Sequence, residues 1–371
     1  MNVLVTGGAG FIGSHVARAL RQRGDVVRVL DALTQPVHDR DVMPASAEEM
    51  TFCKGDVTDK AAWERALAGI DAVVHLAAYQ DYMPDFSRFL TVNASGTALL
   101  YEVIVERTLP VRRVVVASSQ SVYGEGQVRC DRHGVVPAAA RRLEDLARGD
   151  YDARCSICRT PCPEPVAMTE DFAAPANAYG ISKLAAESTA LTLGDTHGVE
   201  SVALRYAIVH GAGQSPRNAY SGLLRSACLS LLRGRAPVVF EDGAQVRDYV
   251  AIQDAVSATL IALDHPDAPG RTYNVGGARS WSVLEVVERL CGLAGDRRAP
   301  EVPGLFRVGD ARHTVGDTGR LRALGWEPAT DLPATWGLYW EWLSKMDLPR
   351  DIVAEAFEAM KSKGVLRTAD R

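Results

Sequence analysis

The stretch Val3-Leu4-Val5-Thr6-Gly7-Gly8-Ala9-Gly10-Phe11-Ile12-Gly13-Ser14-His15 decides the fold. Its first residues have the apolar, β-branched character of a buried strand, its glycines make a turn, and a helix starts near Phe11. Gly7, Gly10 and Gly13 allow a tight turn, a close approach of backbone to a pyrophosphate, and close packing of helix on strand. A pyrophosphate placed there rests on free N–H groups and on the positive end of the helix dipole. A glycine turn alone is weak, since such patterns arise by chance in loops. Asp31 supplies the context, because it closes the next predicted strand, Val26–Leu30, at the expected distance. A carboxylate there accepts from ribose hydroxyls and repels a 2′-phosphate, so the expected ligand is NAD, with Phe11 and Ile12 beside it. The plainer alternative makes Asp31 a turn or helix cap.

Further along the chain, Ala72–Leu76 and Val114–Ala117 read as two more buried strands. Ser14–Arg23, Ala61–Ala68 and Asn93–Arg107 carry helical periodicity between the strands. Such alternation implies a doubly wound parallel α/β sheet of Rossmann type with right-handed crossovers. The second half is more mixed, with strands near Val202–Ile208 and Val238–Phe240 and helices near Asp254–Leu263 and Ser282–Leu290. It reads as a smaller mixed α/β lobe over the carboxyl edge of the sheet, with the site between the lobes. The expected division is a dinucleotide-binding domain over 1–204, with an insertion at 126–170, and a substrate lobe over 205–348 that partly returns to the sheet. A helical tail at 349–371 carries Ile352, Val353, Ala356, Phe357 and Met360 on one face, a packing element.

A net charge of −5 leaves no basic field for nucleic acid or anionic lipid. No apolar run is long enough to span a bilayer, and the start of the chain has no cleavable leader pattern, so a cytoplasmic protein is expected. Seven cysteines argue against a secreted disulfide framework. Cys53, Cys228 and Cys291 are scattered and suit small buried hydrophobes.

The glycine turn, Gly55-Asp56-Val57-Thr58-Asp59, His75-Leu76-Ala77-Ala78, Asn93-Ala94-Ser95-Gly96-Thr97, Ser118-Ser119-Gln120-Ser121-Val122-Tyr123-Gly124 and Tyr179-Gly180-Ile181-Ser182-Lys183 follow in order. In this the chain resembles the extended short-chain dehydrogenases/reductases, the NAD-dependent sugar-nucleotide epimerases and dehydratases. The resemblance implies that Asp56 and Val57 contact the adenine, that Leu76, Ala77 and Ala78 line the cofactor, and that Asn93 braces the active site. Asn93 as a simple helix N-cap is the alternative. It also implies a homodimer joined through the helices that begin near Asn93 and Tyr179.

Tyr179 and Lys183 are one helical turn apart and leave the same face. A free phenol, with a pKa of about 10, is too weak an acid to serve as a base at neutral pH. A neighbouring ammonium and a positive nicotinamide favour the phenolate. In the family frame Lys183 also bonds the nicotinamide ribose, and Ser119 hydrogen-bonds the reacting oxygen. Dehydratases of this family carry an acid pair after that serine, where this chain has Gln120 and Ser121. Neither titrates near neutral pH, which disfavours dehydration and the related decarboxylation. Epimerisation remains: oxidation of the sugar at C4, a transient 4-keto intermediate, and reduction from the other face. A net 4-ketoreductase or dehydrogenase is the rival reading, and a non-catalytic dinucleotide sensor a distant one.

Gln245-Val246-Arg247-Asp248 and Arg307-Val308-Gly309-Asp310 resemble the family's nucleotide contacts, arginine to phosphate and Asp310 to ribose, which suits the fork of arginine. Asn218, in Ser215-Pro216-Arg217-Asn218-Ala219-Tyr220-Ser221-Gly222, is expected as a further diphosphate contact, and Gln120 as a further substrate contact. Relatives often read Leu-Arg-Tyr-Phe-Asn where this chain has Leu204-Arg205-Tyr206-Ala207-Ile208. An apolar Ile208 suits a 6-deoxy sugar, whose methyl is cheap to bury. The stretch from Tyr123 to Tyr179 is about twice the length relatives need, and it holds Cys130-Asp131-Arg132-His133 and Cys155-Ser156-Ile157-Cys158. Two such pairs from separate turns match a closed tetrahedral zinc site in a zinc-ribbon-like insertion, with Cys162 the competing fourth ligand and a metal-free loop the alternative. This insertion resembles that of dTDP-L-rhamnose 4-epimerase-like proteins, which implies a dTDP-6-deoxyhexose substrate.

Overall fold

The computed structural model describes residues 1–35, 37–38, 50–218, 222–295, 298–348 and 350–370. Seven parallel strands form the main sheet: β1 (Asn2–Thr6), β2 (Val26–Asp31), β3 (Thr51–Lys54), β4 (Ala72–His75), β5 (Arg113–Ser119), β6 (Glu200–Tyr206) and β7 (Arg271–Val275). Their order is 3-2-1-4-5-6-7, so the chain reverses its direction of winding between β1 and β4. Ligands of open α/β sheets bind at that switch point, beyond the strands' carboxyl ends. β1, β4 and β5 are covered on both faces, which is why they are continuous apolar runs. Helices Phe11–Gln22 and Ile252–Asp264 pack on one face around Val16, Leu20, Ala255 and Ala258. Helices Lys60–Leu67, Gly96–Glu106 and Ala178–His197 cover the other, around Trp63, Leu100 and Ala190.

β3 and β7 were not expected from the sequence. β3 is half exposed, and β7 reads Arg-Thr-Tyr-Asn-Val, so neither has a long apolar run to mark it. The helix expected from Asn93 starts earlier, at Phe86, and passes through a wider π turn over Leu90–Ser95 before settling at Gly96. Single π turns of this kind cluster at functional sites. The strand expected to run unbroken to Ile208 stops at Tyr206, and Ile208–His210 joins a different sheet beside Val246–Ala251. Val238–Phe240 is not a strand. Only Val238 bridges, to Glu301, because Pro237 lacks a donor and Glu241 turns to a φ of 54°.

The smaller lobe packs helices Gly222–Leu232, Val283–Leu293 and Leu332–Ser344 around Val239, Tyr249, Trp281 and Trp336. The tail does more than pack. Its helix Ile352–Ser362 lays Val353 and Phe357 on that core, and Leu366–Thr368 then pairs antiparallel with Leu305–Arg307. The expected tail boundaries, 349 and 371, fall outside the described residues.

Candidate active site

The carboxyl ends of β1, β2, β4, β5 and β6 open into one cleft of about 930 Å³. Gly7, Gly10, Phe11, Ile12, Gly13, Asp31, Asp56, Val57, Leu76, Ala77 and Ala78 line it at one end; Ser119, Gln120, Tyr179 and Lys183 also line it. The glycine turn is sterically closed. Gly7 has a φ of +66°, and a Cβ on Gly13 would meet the Gly7 oxygen at 2.1 Å. Gly10 caps the helix with no side chain, leaving the first-turn N–H groups for a ligand. Asp31 caps the turn that it closes and also lines the cleft. One oxygen accepts from Ala9 N at 3.0 Å and the other from Leu33 N at 2.9 Å, while the residue stands on the cleft wall. Behind the wall, Thr6 Oγ1 accepts from Ala77 N and lies 2.7 Å from His75 Nδ1. Burial and the Lys183 charge push His75 down to about 3, so this ring is neutral. These contacts fix β4's end against β1.

Asn93, expected to brace the active site, sits behind the cleft wall. It is 2% exposed and does not line the cleft. Its amide instead clasps the backbone of Tyr79, accepting from N at 2.7 Å and donating to O at 3.0 Å, and donates to Ser182 Oγ at 2.9 Å. It braces the site from within the π turn, and it is not an N-cap.

Tyr179 and Lys183 lie on the first turns of helix Ala178–His197, which Asn177 caps by accepting from Gly180 N. Tyr179 is held by Gln80, whose Nε2 donates to the phenol oxygen at 2.5 Å, and by a hydrogen bond with Ser119. Burial pushes the phenol above its ordinary value, and those two bonds pull it back only in part. Lys183 is 4% exposed; burial brings it down to about 8, with Glu187 opposing. Glu187 is itself locked by Arg205 at 2.7 Å and Ser118 at 2.6 Å. Ser119 closes β5, and its Oγ caps the following turn by accepting from Ser121 N at 3.1 Å. Gln120 lines the cleft with its buried Oε1 unpartnered. Gln80 was missed in the sequence, although it lies just two positions beyond the Leu76-Ala77-Ala78 motif.

Asn218, Arg247, Arg307, Asp310 and the apolar Ile208 all line the cleft too. The flanking Ala219, Tyr220 and Ser221 lie outside the described residues. Arg307 pairs with Asp310 at 2.8 Å and lies over the Tyr82 ring at 4.1 Å. Arg247 donates to the carbonyls of Ala311 and Arg312 at 2.6 and 2.7 Å and so pins that loop. The sequence reading missed Tyr82, Phe240, Arg225, Phe357, Met360 and Lys363, which also face the cleft.

In the insertion, hairpin Gln127–Cys130/Gly134–Pro137 carries Cys130 and His133 on its turn, and a second turn carries Cys155 and Cys158. The four ligand atoms lie within 4.8 Å of one another. Cys130 Sγ is 3.5 Å from His133 Nδ1 and 3.6 Å from Cys158 Sγ, and Cys155 Sγ is 3.5 Å from the same nitrogen. Metal bonds of about 2.3 Å to sulfur and about 2.0 Å to nitrogen in a tetrahedron give such separations. These residues fit a closed zinc site. Cys162 is not in the group, and its Sγ points to Thr160 O. The insertion also reaches the cleft. Arg141 donates to Glu125 at 3.1 Å, to Glu241 at 2.8 Å and to the carbonyl of Asp310.

Against known families, residues 3–141 and 158–276 match the NAD dependent epimerase/dehydratase family. The chain belongs to that family. The break in the family match falls within the cysteine insertion. The dTDP-L-rhamnose 4-epimerase of Burkholderia thailandensis is 31% identical over 92% of this chain and 95% of its own. The UDP-glucose 4-epimerase of Thermotoga maritima, solved with UDP-glucose, superimposes with a TM-score of 0.75 at 27% identity, over 93% and 99% of the two chains. That of Thermus thermophilus, solved with NAD, gives 0.71 at 27% identity, over 94% and 100%. The family's dinucleotide has a matching cradle here: the closed glycine turn, the free helix start and the acidic pair Asp31 and Asp56 lie on one wall of the cleft.

Proposed function

We propose that this chain is a nucleotide-sugar 4-epimerase that holds NAD tightly and acts on dTDP-L-rhamnose or a similar dTDP-6-deoxyhexose. The observation that carries the reading is the convergence of Ser119, Gln80 and Tyr179 on one point beside Lys183, with no carboxylate at the two positions after Ser119. Bound NAD supplies a hydride acceptor and, in its reduced form, a hydride donor. Tyr179 takes the proton of the C4 hydroxyl as the base and gives it back on the return. Ser119 and Gln80 hold the phenol oxygen and the sugar oxygen in register, and Lys183 keeps positive charge near the developing phenolate. Gln120 and Ser121 have no proton to trade near neutral pH, so the 4-keto sugar is not dehydrated. Ile208 on the cleft wall and the 31% identical rhamnose 4-epimerase support a 6-methyl substrate.

The test follows each stereocentre by NMR while purified protein meets a panel of dTDP- and UDP-sugars without added cofactor. Inversion at C4 of a dTDP-6-deoxyhexose supports the reading, and turnover only with added NAD or NADH favours the net reductase. Inversion of UDP-galactose alone would sink the 6-deoxy assignment. The same reading includes one structural zinc in the Cys130, His133, Cys155, Cys158 set, a cytoplasmic site of action and a homodimer. The dimer would join through helices Gly96–Glu106 and Ala178–His197, and a monomer in sedimentation would refute it. Among the described residues no helix is long and apolar enough to cross a membrane.

A further inference from the structure

Arg225, on the first turn of helix Gly222–Leu232, is 2% exposed yet stands on the cleft wall. Its Nη1 donates to Pro216 O at 3.1 Å, and its Nε is buried without a partner. The acidic groups that bear on it are two phenols, Tyr339 and Tyr82; no carboxylate among the described residues does. The other deeply buried arginines differ. Arg205 has Glu187 at 2.7 Å, Arg141 has Glu241 at 2.8 Å, and Arg312 has Glu241 at 2.9 Å. A guanidinium buried without a counter-charge is costly, and burial lowers the pKa of Arg225 where carboxylates raise those of the other three. A cleft-lining cation kept in that condition is poised for an anion that comes from outside.

Its place in the cleft says which anion. Arg307 lies over the Tyr82 ring at 4.1 Å, and the charge of Arg225 also bears on that phenol, so the two cations share one neighbourhood of the cleft lining. Arg247, the other arginine expected at the phosphates, has its fork turned to backbone carbonyls. We propose that Arg225 receives the diphosphate of the substrate beside Arg307, as the fork that has no partner until the nucleotide arrives. This inference rests on the nucleotide-sugar reading. It makes Arg225 a binding residue whose charge destabilises the fold and is offset by ligand.

Calorimetric titration with dTDP and UDP tests it, using wild type, Arg225→Met and Arg225→Gln, with melting temperatures taken before ligand is added. The expected result is binding at least ten-fold weaker in both variants, with the NAD carried through purification unchanged. The Arg225→Met protein is expected to melt no lower than wild type, because removing an unpaired buried charge relieves the fold. Equal diphosphate affinity in wild type and both variants would overturn the proposal while leaving the nucleotide reading intact. Failure of the wild type to bind either diphosphate would overturn both.

Discussion

Tyr179 sits where its own protein surroundings oppose its ionisation. Burial raises the phenol, and burial also lowers Lys183 to about 8. In the proposed reaction the working state is tyrosinate beside ammonium, so the cofactor and the lysine must together offset the cost of burying the phenolate. The turnover number is expected to rise with pH as the phenol beside that ammonium ionises. Lys183→Met removes the cation that favours the phenolate, so the rise should move above about pH 10 and the rate at pH 7 should fall about 100-fold. A pH profile of kcat for both proteins checks this; an unmoved profile would take Lys183 out of the proton transfer. Tyr179→Phe keeps the ring packed against Phe89 and removes only the acid–base oxygen. It should cost about 10²- to 10⁴-fold in kcat with bound NAD retained, read by single-turnover kinetics and absorbance. At this scale the sequence was informative where a residue reaches the cleft through a spaced motif. Gln80 and Arg225 act through tertiary placement alone, and neither belongs to a motif whose spacing could reveal it.

The cysteine insertion is an element with two ends. Its far end holds the Cys130, His133, Cys155 and Cys158 cluster, and a core of Val128, Ala153 and Cys162 is too small to hold it unaided. Its near end delivers Arg141 to Glu241 and to the Asp310 carbonyl, and packs Leu146 and Tyr151 on Phe306. Loss of the proposed zinc should therefore be felt at the nucleotide. Prolonged chelation, or Cys155→Ser, is expected to release about one zinc per chain and raise the substrate KM several-fold, with kcat changed by less than a factor of two. Metal analysis paired with steady-state kinetics decides it; a fall in kcat alone would break the link to Asp310. The grouping of Cys130, His133, Cys155 and Cys158 was legible because such paired spacing is local. The link to Asp310 was not, because Arg141 reads as one arginine among several in a polar stretch.

For the molecule as a whole, the parallel sheet was readable from its apolar runs, while its edges were not. β3 is half exposed, β7 buries Thr272 and Asn274 in hydrogen bonds to Glu187 and the Met168 carbonyl, and β7 joins only after the chain has left the sheet and come back. The tail was read as packing, yet Phe357, Met360 and Lys363 stand on the cleft wall. Ending the chain after Ser362 should leave the sheet and its NAD site folded, with substrate KM raised at least ten-fold and the main melting transition shifted little. Retention of full substrate affinity by that shortened protein would show that the pairing with Leu305–Arg307 has no part in binding.

That pairing also fixes an order of events during synthesis. Ribosomes deliver the dinucleotide half first, and the last strand of its sheet ends at Val275. The strand that bears Arg307 must wait for residues 366–368 to emerge before it has a neighbour. A nascent chain can thus acquire its redox partner well before it can grip a nucleotide sugar, and a ribosome stalled in between would display a loaded cofactor site that idles.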